Sequence, residues 1–216
     1  VRSEILVVLD ADIRIKDREF LDKFIEPIRG KKADLVSCRL REVPGGRFFE
    51  RMINYSNQLK RDIFENYHNG INIFTNRGPA MALSRRLYTR LKYPKIHCED
   101  MYTFLYNLEA GYKYFYYREA EAFYKSPANL TDHLKQSNRF AKSALILKKY
   151  FDRELVENCM RIPIGLSLKR AAIKFVQQPV YTISYLTVLA YTRLTSIFAP
   201  TPSVKWDMIT SSKKPI

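Results

Sequence analysis

The stretch Ile5-Leu6-Val7-Val8-Leu9-Asp10-Ala11-Asp12 joins five consecutive aliphatic residues to two carboxylates separated by one alanine. Large apolar side chains without polar alternation predict a central strand, buried on both faces of a parallel or mixed α/β sheet. Ligand sites of open α/β sheets lie beyond the carboxyl ends of the strands. We therefore expect Asp10 and Asp12 to enter a cleft, where carboxylate oxygens suit a hard divalent cation. A strand followed by an ordinary acidic turn is the alternative.

The composition favours a globular chain with an anionic partner. The 216 residues are 46% hydrophobic and 13% aromatic, which argues against disorder. Lys and Arg number 37 against 22 Asp and Glu, and the basic excess is larger after residue 130. A net charge of +15 points to nucleic acid, a membrane surface or a phosphorylated substrate. Three separated cysteines suit a reducing compartment, hence a cytoplasmic location, and argue against structural zinc.

Periodicity along the chain predicts alternating helices and strands, and so an α/β fold with a mixed sheet flanked by helices. Predicted helices cover residues 16–29, 47–66, 84–91, 99–110 and 129–151, and predicted strands cover 5–9, 33–40, 71–74, 79–83 and 113–124. Gly78 lies in the turn between the two short strands, and Gly111 follows a helix as a stop signal. Everything beyond Asp152 has helical character, interrupted at Pro163 and Pro179.

Two further groups of residues could carry chemistry. Glu99 and Asp100 open a predicted helix, where acidic side chains are common as ordinary caps and where a carboxylate facing a cleft could be a general base. Gln136 and Arg139 are three residues apart and share one helix face, with Phe140 next to them.

The order of these elements resembles the family 2 glycosyltransferases of the GT-A fold. The resemblance rests on Asp10-Ala11-Asp12 after a strand, Gly78 in a turn, Glu99-Asp100 opening a helix, and Gln136-x-x-Arg139-aromatic. It covers residues 1–151, which it implies to be part of a nucleotide-diphospho-sugar transferase domain. The implied activity is inverting, metal-dependent transfer of a sugar from a nucleotide-diphosphate donor to a hydroxyl of a sugar or lipid-linked acceptor, as in cell-envelope or glycan biosynthesis.

The resemblance also implies roles for individual residues. Asp12 would be the ligand of Mg²⁺ or Mn²⁺, and Asp10 would contact the donor ribose or a metal-bound water. Asp100 would be the catalytic base, and Glu99 would orient it or contact the acceptor. The turn that holds Gly78 corresponds to the loop below the acceptor.

The helix from residue 129 would contribute to the donor diphosphate site. Gln136 and Arg139 match the diphosphate-binding motif of the family's processive members, but Phe140 stands where those members have Trp. That departure weighs against a polysaccharide-synthase role. His133 is a candidate third metal ligand, against a core or surface histidine, and His97 is expected to be structural.

The two ends of the chain depart from the resemblance. The strands and helices that hold the donor base and ribose in this family precede the Asp-x-Asp strand and are missing here, so we expect an N-terminally truncated fragment that binds its donor weakly. Residues 152–216 form a basic, helical extension. Its uncharged segment 175–192 is divided by Pro179 and is too short to span a bilayer. The segment is expected to lie on the cytoplasmic face of a membrane, as peripheral association, or to pack on its own domain.

Two other functions fit parts of the sequence. A basic nucleic-acid-binding module would explain the charge and the many aromatic residues, but no nucleic-acid motif is present and we expect no nucleic-acid partner. A nucleotidyltransferase of similar fold would also use an Asp pair with a metal. The Glu99-Asp100 helix start followed by Gln136-x-x-Arg139 favours the glycosyltransferase.

Overall fold

The computed structural model describes residues 3–198, and it confirms a mixed α/β fold. The strands are β1 (Ile5–Leu9), β2 (Arg14–Ile15), β3 (Leu35–Glu42), β4 (Ala80–Ser84) and β5 (Tyr114–Tyr124). The helices are α1 (Phe20–Arg29), α2 (Phe48–Asn66), α3 (Arg85–Tyr88), α4 (Glu99–Glu109), α5 (Leu130–Leu147), α6 (Arg153–Met160), α7 (Ile164–Gln177) and α8 (Pro179–Phe198), with a 3₁₀ turn at Tyr67–Gly70. The predicted extension 152–216 is helical as far as Phe198, and residues 199–216 lie outside the described part.

The five strands form one sheet in the order β1-β4-β3-β5-β2. Strand β4 is antiparallel to both of its neighbours, β1 and β3, whereas β3 and β5 are parallel. Strands β1, β3 and β5 therefore run in the same direction. Their carboxyl ends meet the amino end of β4 at one side of the sheet, which we call the carboxyl-end side.

The prediction that the first strand is central was wrong. Within residues 3–198, β1 is an edge strand that pairs only with β4, and Val8 and Leu9 are 38% and 39% exposed. The central position belongs to β3, where Val36 and Leu40 are almost fully buried. An aliphatic run indicates apolar surroundings, but its place in the sheet depends on which distant strands pair beside it.

Two local predictions were also wrong. Residues 71–74 form a turn, because the side chain of Asn72 donates to the carbonyls of Phe64 and Tyr67 and accepts from the N–H of Phe74. These bonds satisfy main-chain groups that a strand would have paired with a neighbour. The first helix begins at Phe20 and not at residue 16, because Asp17 forms a turn: its Oδ1 accepts from the N–H of Glu19 at 2.9 Å and its carbonyl accepts from the N–H of Phe20 at 3.2 Å.

Helices cover the sheet, and separate apolar clusters join helices of the last third of the chain to α4, α5 and α2. The interior between α4, α5 and α6 is formed by Ile73, Phe104, Leu105, Leu147, Phe151 and Val156. Helix α8 packs on α2 through Tyr185, which contacts the cluster of Met52 and Ile53. Across residues 3–198, no helix combines the length and the apolar character that crossing a membrane requires.

Candidate active site

The Asp-x-Asp segment crosses the carboxyl-end side of the sheet. The N–H of Asp10 donates to the carbonyl of Pro79 at 3.0 Å, and the N–H of Ile13 donates to the carbonyl of Asp10 at 3.4 Å, which closes a turn. Strands β1 and β2 lie at opposite edges of the sheet, so residues 10–13 must connect them across the strand ends. Asp10 is exposed and Asp12 is half-buried. Both carboxylates therefore sit where ligands of such sheets bind.

The turn of residues 76–79 ties this segment to helix α4. Asn76 is 1% exposed; its Oδ1 accepts from Ser37 Oγ at 2.6 Å, and its Nδ2 donates to the Asp100 carbonyl at 2.6 Å. The N–H of Gly78 donates to Oδ2 of Asp100 at 3.2 Å. Because the Pro79 carbonyl accepts from Asp10, one turn holds both acidic groups in a fixed relation.

Asp100 is a half-buried carboxylate at the start of α4, with a pKa raised above its ordinary value. Burial raises the pKa, because desolvation disfavours the charged form. The N–H groups of Met101 and Gly78 and the positive charge of Arg77 oppose that effect without cancelling it. A carboxylate with a raised pKa is a stronger proton acceptor, which is the property that a general base needs.

A half-buried polar network adjoins Asp100 through Arg77 and includes residues that the sequence did not single out. The Arg77 guanidinium lies 5.5 Å from the ring centre of Tyr124, and Tyr124 Oη donates to Glu42 at 3.0 Å. Glu42 also accepts from Arg61 at 2.8 Å. Burial would lower the pKa of Arg77, but Tyr124 and Glu42 outweigh it and the pKa is raised. Arg77 therefore stays charged beside Asp100.

One signal for this network was present in the sequence. Glu42 and Tyr124 are the last residues of the parallel strands β3 and β5 and lie opposite each other in register. Polar residues at the ends of neighbouring parallel strands belong to the site by the same rule that selected Asp10. Arg77 precedes Gly78 in the turn, and its burial against Tyr124 could not be seen without the fold.

Helix α5 brings the predicted diphosphate-binding residues to the start of α4. The carbonyl of Arg139 accepts from His97 Nε2 at 3.2 Å and from Ser143 Oγ at 3.0 Å. Since a carbonyl can only accept, His97 carries its proton on Nε2 and joins α5 to the loop before Glu99. Gln136 is half-buried one turn before Arg139, and Phe140 is 47% exposed.

His133 and Glu99 occupy different surroundings. His133 is 6% exposed, its ring meets Phe49 edge-on at 6.2 Å, and Ser137 lies 3.3 Å from its Nε2. Burial and then the charge of Lys60 lower the pKa of His133 to about 4, so the ring is neutral at pH 7. Glu99 is half-buried as the first residue of α4, next to Asp100.

The carboxylates of Asp10 and Asp12 fit a hard divalent cation. Both offer oxygen donors, the atoms that Mg²⁺ and Mn²⁺ prefer, on the accessible side of the strand ends. In the described part of the chain, no three His, Cys, Asp or Glu side chains converge on one cation position. Mg²⁺ commonly needs fewer protein ligands than three, because waters and substrate phosphates complete its shell around one or two carboxylates.

Comparisons with known proteins give a similarity in fold. No protein-family model matches the sequence, and no curated protein sequence matches it. Among solved structures, the chain is similar to mannosyltransferase PcManGT from Pyrobaculum calidifontis in complex with GDP-Man and Mn²⁺, with 14% identity and a TM-score of 0.49. The match covers 92% of this chain and 52% of that one, so the chain spans about half the length of that protein. At this level the similarity concerns the fold alone.

Proposed function

We propose that this chain carries the catalytic part of an inverting, metal-dependent glycosyltransferase of the GT-A fold, similar to family 2. The observation that supports the proposal is the link between Asp100 and Asp10 through the turn at Gly78. It sets a half-buried carboxylate with a raised pKa beside an accessible acidic pair, at the end of the sheet where ligands bind. In this proposal residues 1–151 carry the chemistry, and residues 152–216 are an extension that is helical as far as Phe198.

In the proposed reaction, Asp100 removes the proton of the acceptor hydroxyl. The hydroxyl oxygen forms a bond to the anomeric carbon as the bond from that carbon to the donor phosphate breaks, so the nucleoside diphosphate leaves from the opposite face. A positioned carboxylate accelerates such a step roughly 10²- to 10⁴-fold. The positive charge of Arg77 next to Asp100 limits how far burial raises the pKa of Asp100.

The acidic pair and helix α5 hold the donor in this proposal. Asp12, assisted by Asp10, would hold Mg²⁺ or Mn²⁺, which supplies Lewis-acid stabilisation of the leaving diphosphate when bound. Arg139 and Gln136 would bind the diphosphate oxygens, because a guanidinium can contact two of them at once. The donor is a nucleotide-diphospho-sugar. Glu99, next to Asp100, would contact the acceptor.

The aromatic side chains that suggested nucleic-acid binding fall into two groups. Phe20, Phe24 and Phe104 are in the core and at most 6% exposed, whereas Phe140 and Tyr191 are nearly half exposed. Base stacking requires accessible aromatic rings next to basic side chains. Because the sequence contains no nucleic-acid-binding motif, we propose a sugar or lipid-linked alcohol as the acceptor class and a cytoplasmic location for the reaction.

The test is sugar transfer by the polypeptide that contains this sequence, screened with UDP-, GDP- and dTDP-sugars and Mn²⁺. We expect Asp100→Asn to reduce transfer by roughly 10²- to 10⁴-fold while donor affinity is retained. Glu109→Gln is the matched control, because Glu109 is an exposed carboxylate at the other end of α4. Transfer by Asp100→Asn at the wild-type rate would overturn the assignment of the base. Absence of transfer from every donor would overturn the proposed activity.

A further inference from the structure

Helix α7 turns its charged side inward and its apolar side outward. Arg170 forms an ion pair with Asp62 of α2 at 3.4 Å, and Lys174 lies 5.3 Å from the ring centre of Tyr55, also on α2. On the opposite side, the exposed apolar residues are Ile164 at 75%, Leu168 at 65%, Phe175 at 45% and Val176 at 82%. A helix on a water-facing surface shows the reverse distribution.

Helix α8 shows the same inversion. The side packed toward α2 and α5 includes Thr182, Tyr185 and Thr192, each 7% exposed or less. The opposite side is aliphatic and more than half exposed, with Val180 at 64%, Ile183 at 56%, Leu186 at 54%, Leu194 at 62% and Ile197 at 71%. These positions are three or eight residues apart, and the exposed Ala190 lies midway in the gap of eight, so they form one stripe along the helix. We call the outward sides of α7 and α8 together the apolar face.

An apolar face of this extent needs an apolar partner. Single exposed hydrophobic residues are ordinary, whereas contiguous apolar patches on soluble proteins are limited in area and mark interaction sites when larger. Both helices pack on α2, and each exposed stripe lies on the side away from it. The two stripes therefore remain uncovered within residues 3–198.

The positive charge next to the apolar face favours an anionic partner. Residues 161–198 contain five basic side chains, Arg161, Lys169, Arg170, Lys174 and Arg193, and no acidic one. Lys169 and Arg193 are exposed at the margins of the two stripes. A second copy of the chain would bring this positive charge against itself. An anionic lipid surface would neutralise it while the aliphatic side chains enter the boundary between headgroups and acyl chains.

We propose that α7 and α8 bind the surface of anionic lipid bilayers through the apolar face, with both helices lying in the interface. Tyr191, which is 49% exposed, adds an amphipathic ring of the kind enriched at that depth. The surface is separate from the candidate active site and does not depend on the proposed reaction. Failure of the sugar-transfer assay would not affect this proposal, and failure to bind vesicles would not affect the proposed sugar transfer.

The experiment is co-flotation of the whole protein with vesicles of phosphatidylcholine alone and with vesicles in which phosphatidylglycerol replaces part of it. We expect binding to the anionic vesicles that weakens as salt is added. Val176→Glu combined with Leu194→Glu should weaken binding on the order of tenfold or more, since both side chains are largely exposed and their loss does not disturb the core. Lys169→Glu combined with Arg193→Glu should abolish the preference for anionic vesicles.

The matched control is Leu21→Glu combined with Leu108→Glu, which adds the same charge at leucines 50% and 45% exposed on α1 and α4. This control should bind vesicles like the wild type. Circular dichroism and thermal melting confirm that each variant is folded. Folded wild type that stays unbound with both vesicle types would overturn the proposal. So would a solution dimer that Val176→Glu combined with Leu194→Glu dissociates.

Discussion

The main-chain N–H of Gly78 donates to Oδ2 of Asp100, and a Cβ placed on Gly78 would lie 3.8 Å from that same oxygen. That distance is ordinary van der Waals contact, so a methyl group fits without displacing Asp100. Gly78 therefore acts through its main-chain N–H and not through the absence of a side chain. The side chain of Asn76 holds the turn in place, because it accepts a hydrogen bond from Ser37 and donates one to the carbonyl of Asp100.

We expect Gly78→Ala and Asn76→Ala to differ sharply. Gly78→Ala keeps the N–H and should leave the free energy of unfolding and the rate of transfer within a few-fold of wild type. Asn76→Ala removes the partners of Ser37 Oγ and of the Asp100 carbonyl, and should lower the free energy of unfolding by about 1–3 kcal/mol. Urea unfolding and initial-rate kinetics measure both effects. Equal behaviour of the two variants would contradict this account of the turn.

The rate of transfer should depend on pH through Asp100. The base must be ionised, so the rate rises with pH as Asp100 loses its proton, above the ordinary range for aspartate because its pKa is raised. Arg77→Gln removes a charge that lowers this pKa, and the rising limb should move to higher pH. The measurement is the pH profile of kcat/KM. Arg85→Gln is the control, since Arg85 is exposed and paired with Glu4 far from Asp100. A limb that moves to lower pH in Arg77→Gln would refute the prediction.

Dependence on a divalent cation should follow Asp12. Asp12→Asn keeps the shape of the side chain but removes the charge that a hard cation requires, and should raise the Mn²⁺ concentration needed for donor binding by about tenfold or more. Asp17→Asn is the matched control, because Asp17 lies in the next loop, between β2 and α1, and pairs with Lys23 at 2.8 Å. Calorimetric titration of the donor at several Mn²⁺ concentrations distinguishes the two. If both variants respond alike, Asp12 is not the ligand.

Local patterns in the sequence predicted α4 and α2 almost to the residue, whereas the helix expected at 129–151 ends at Leu147 and the one expected at 84–91 ends at Tyr88. Helix α4 was expected at residues 99–110 and occupies Glu99–Glu109, because the acidic start and Gly111, which has φ +69, are local signals. Helix α2 was expected at 47–66 and occupies Phe48–Asn66. The apolar period of a long helix is set by its own residues, so its place can be recognised without knowledge of the rest of the chain.

Features that depend on distant parts of the chain could not be predicted in this way. The edge position of β1 follows from where β4 and β3 pair, and residues 71–74 turn because Asn72 reaches main-chain groups up to eight residues away. Arg77 joins the site only because Tyr124, 47 positions later in the sequence, ends the parallel neighbour of β3. The positions of Asp10, Gly78 and Asp100 were read from the sequence, whereas the hydrogen bonds that join them required the fold.

Stability should depend on Asp34, which is 4% exposed and accepts from Arg86, from Ser84 Oγ at 2.9 Å and from the Lys113 N–H at 3.1 Å. Burial would raise the pKa of Asp34, but these three partners outweigh it and the pKa is lowered. A lowered pKa stabilises the fold at pH values above the unfolded-state pKa, and this contribution is lost as the pH falls through the folded-state pKa.

Asp34→Asn should therefore lower the free energy of unfolding at pH 7 by about 2 kcal/mol, since hydrogen bonds to a charged group are lost. The difference from wild type should shrink as the pH is lowered and Asp34 itself is neutralised. Urea unfolding at a series of pH values measures it. A difference that stays constant with pH would show that the charge of Asp34 contributes nothing.

Two glycines with positive φ separate backbone strain from steric conflict. Gly70 has φ +82, and a Cβ there would lie 2.7 Å from Cδ1 of Tyr116, whose hydroxyl donates to Glu65 at 2.8 Å. Gly111 has φ +69, and a Cβ there would meet nothing within 4 Å. Gly111→Ala should cost about 1 kcal/mol of unfolding free energy from strain alone, and Gly70→Ala should cost at least about 2 kcal/mol because the ring must also move. In a Tyr116→Ala background the cost of Gly70→Ala should fall to that of Gly111→Ala. An unchanged cost in that background would show that the conflict lies in the backbone and not with the ring.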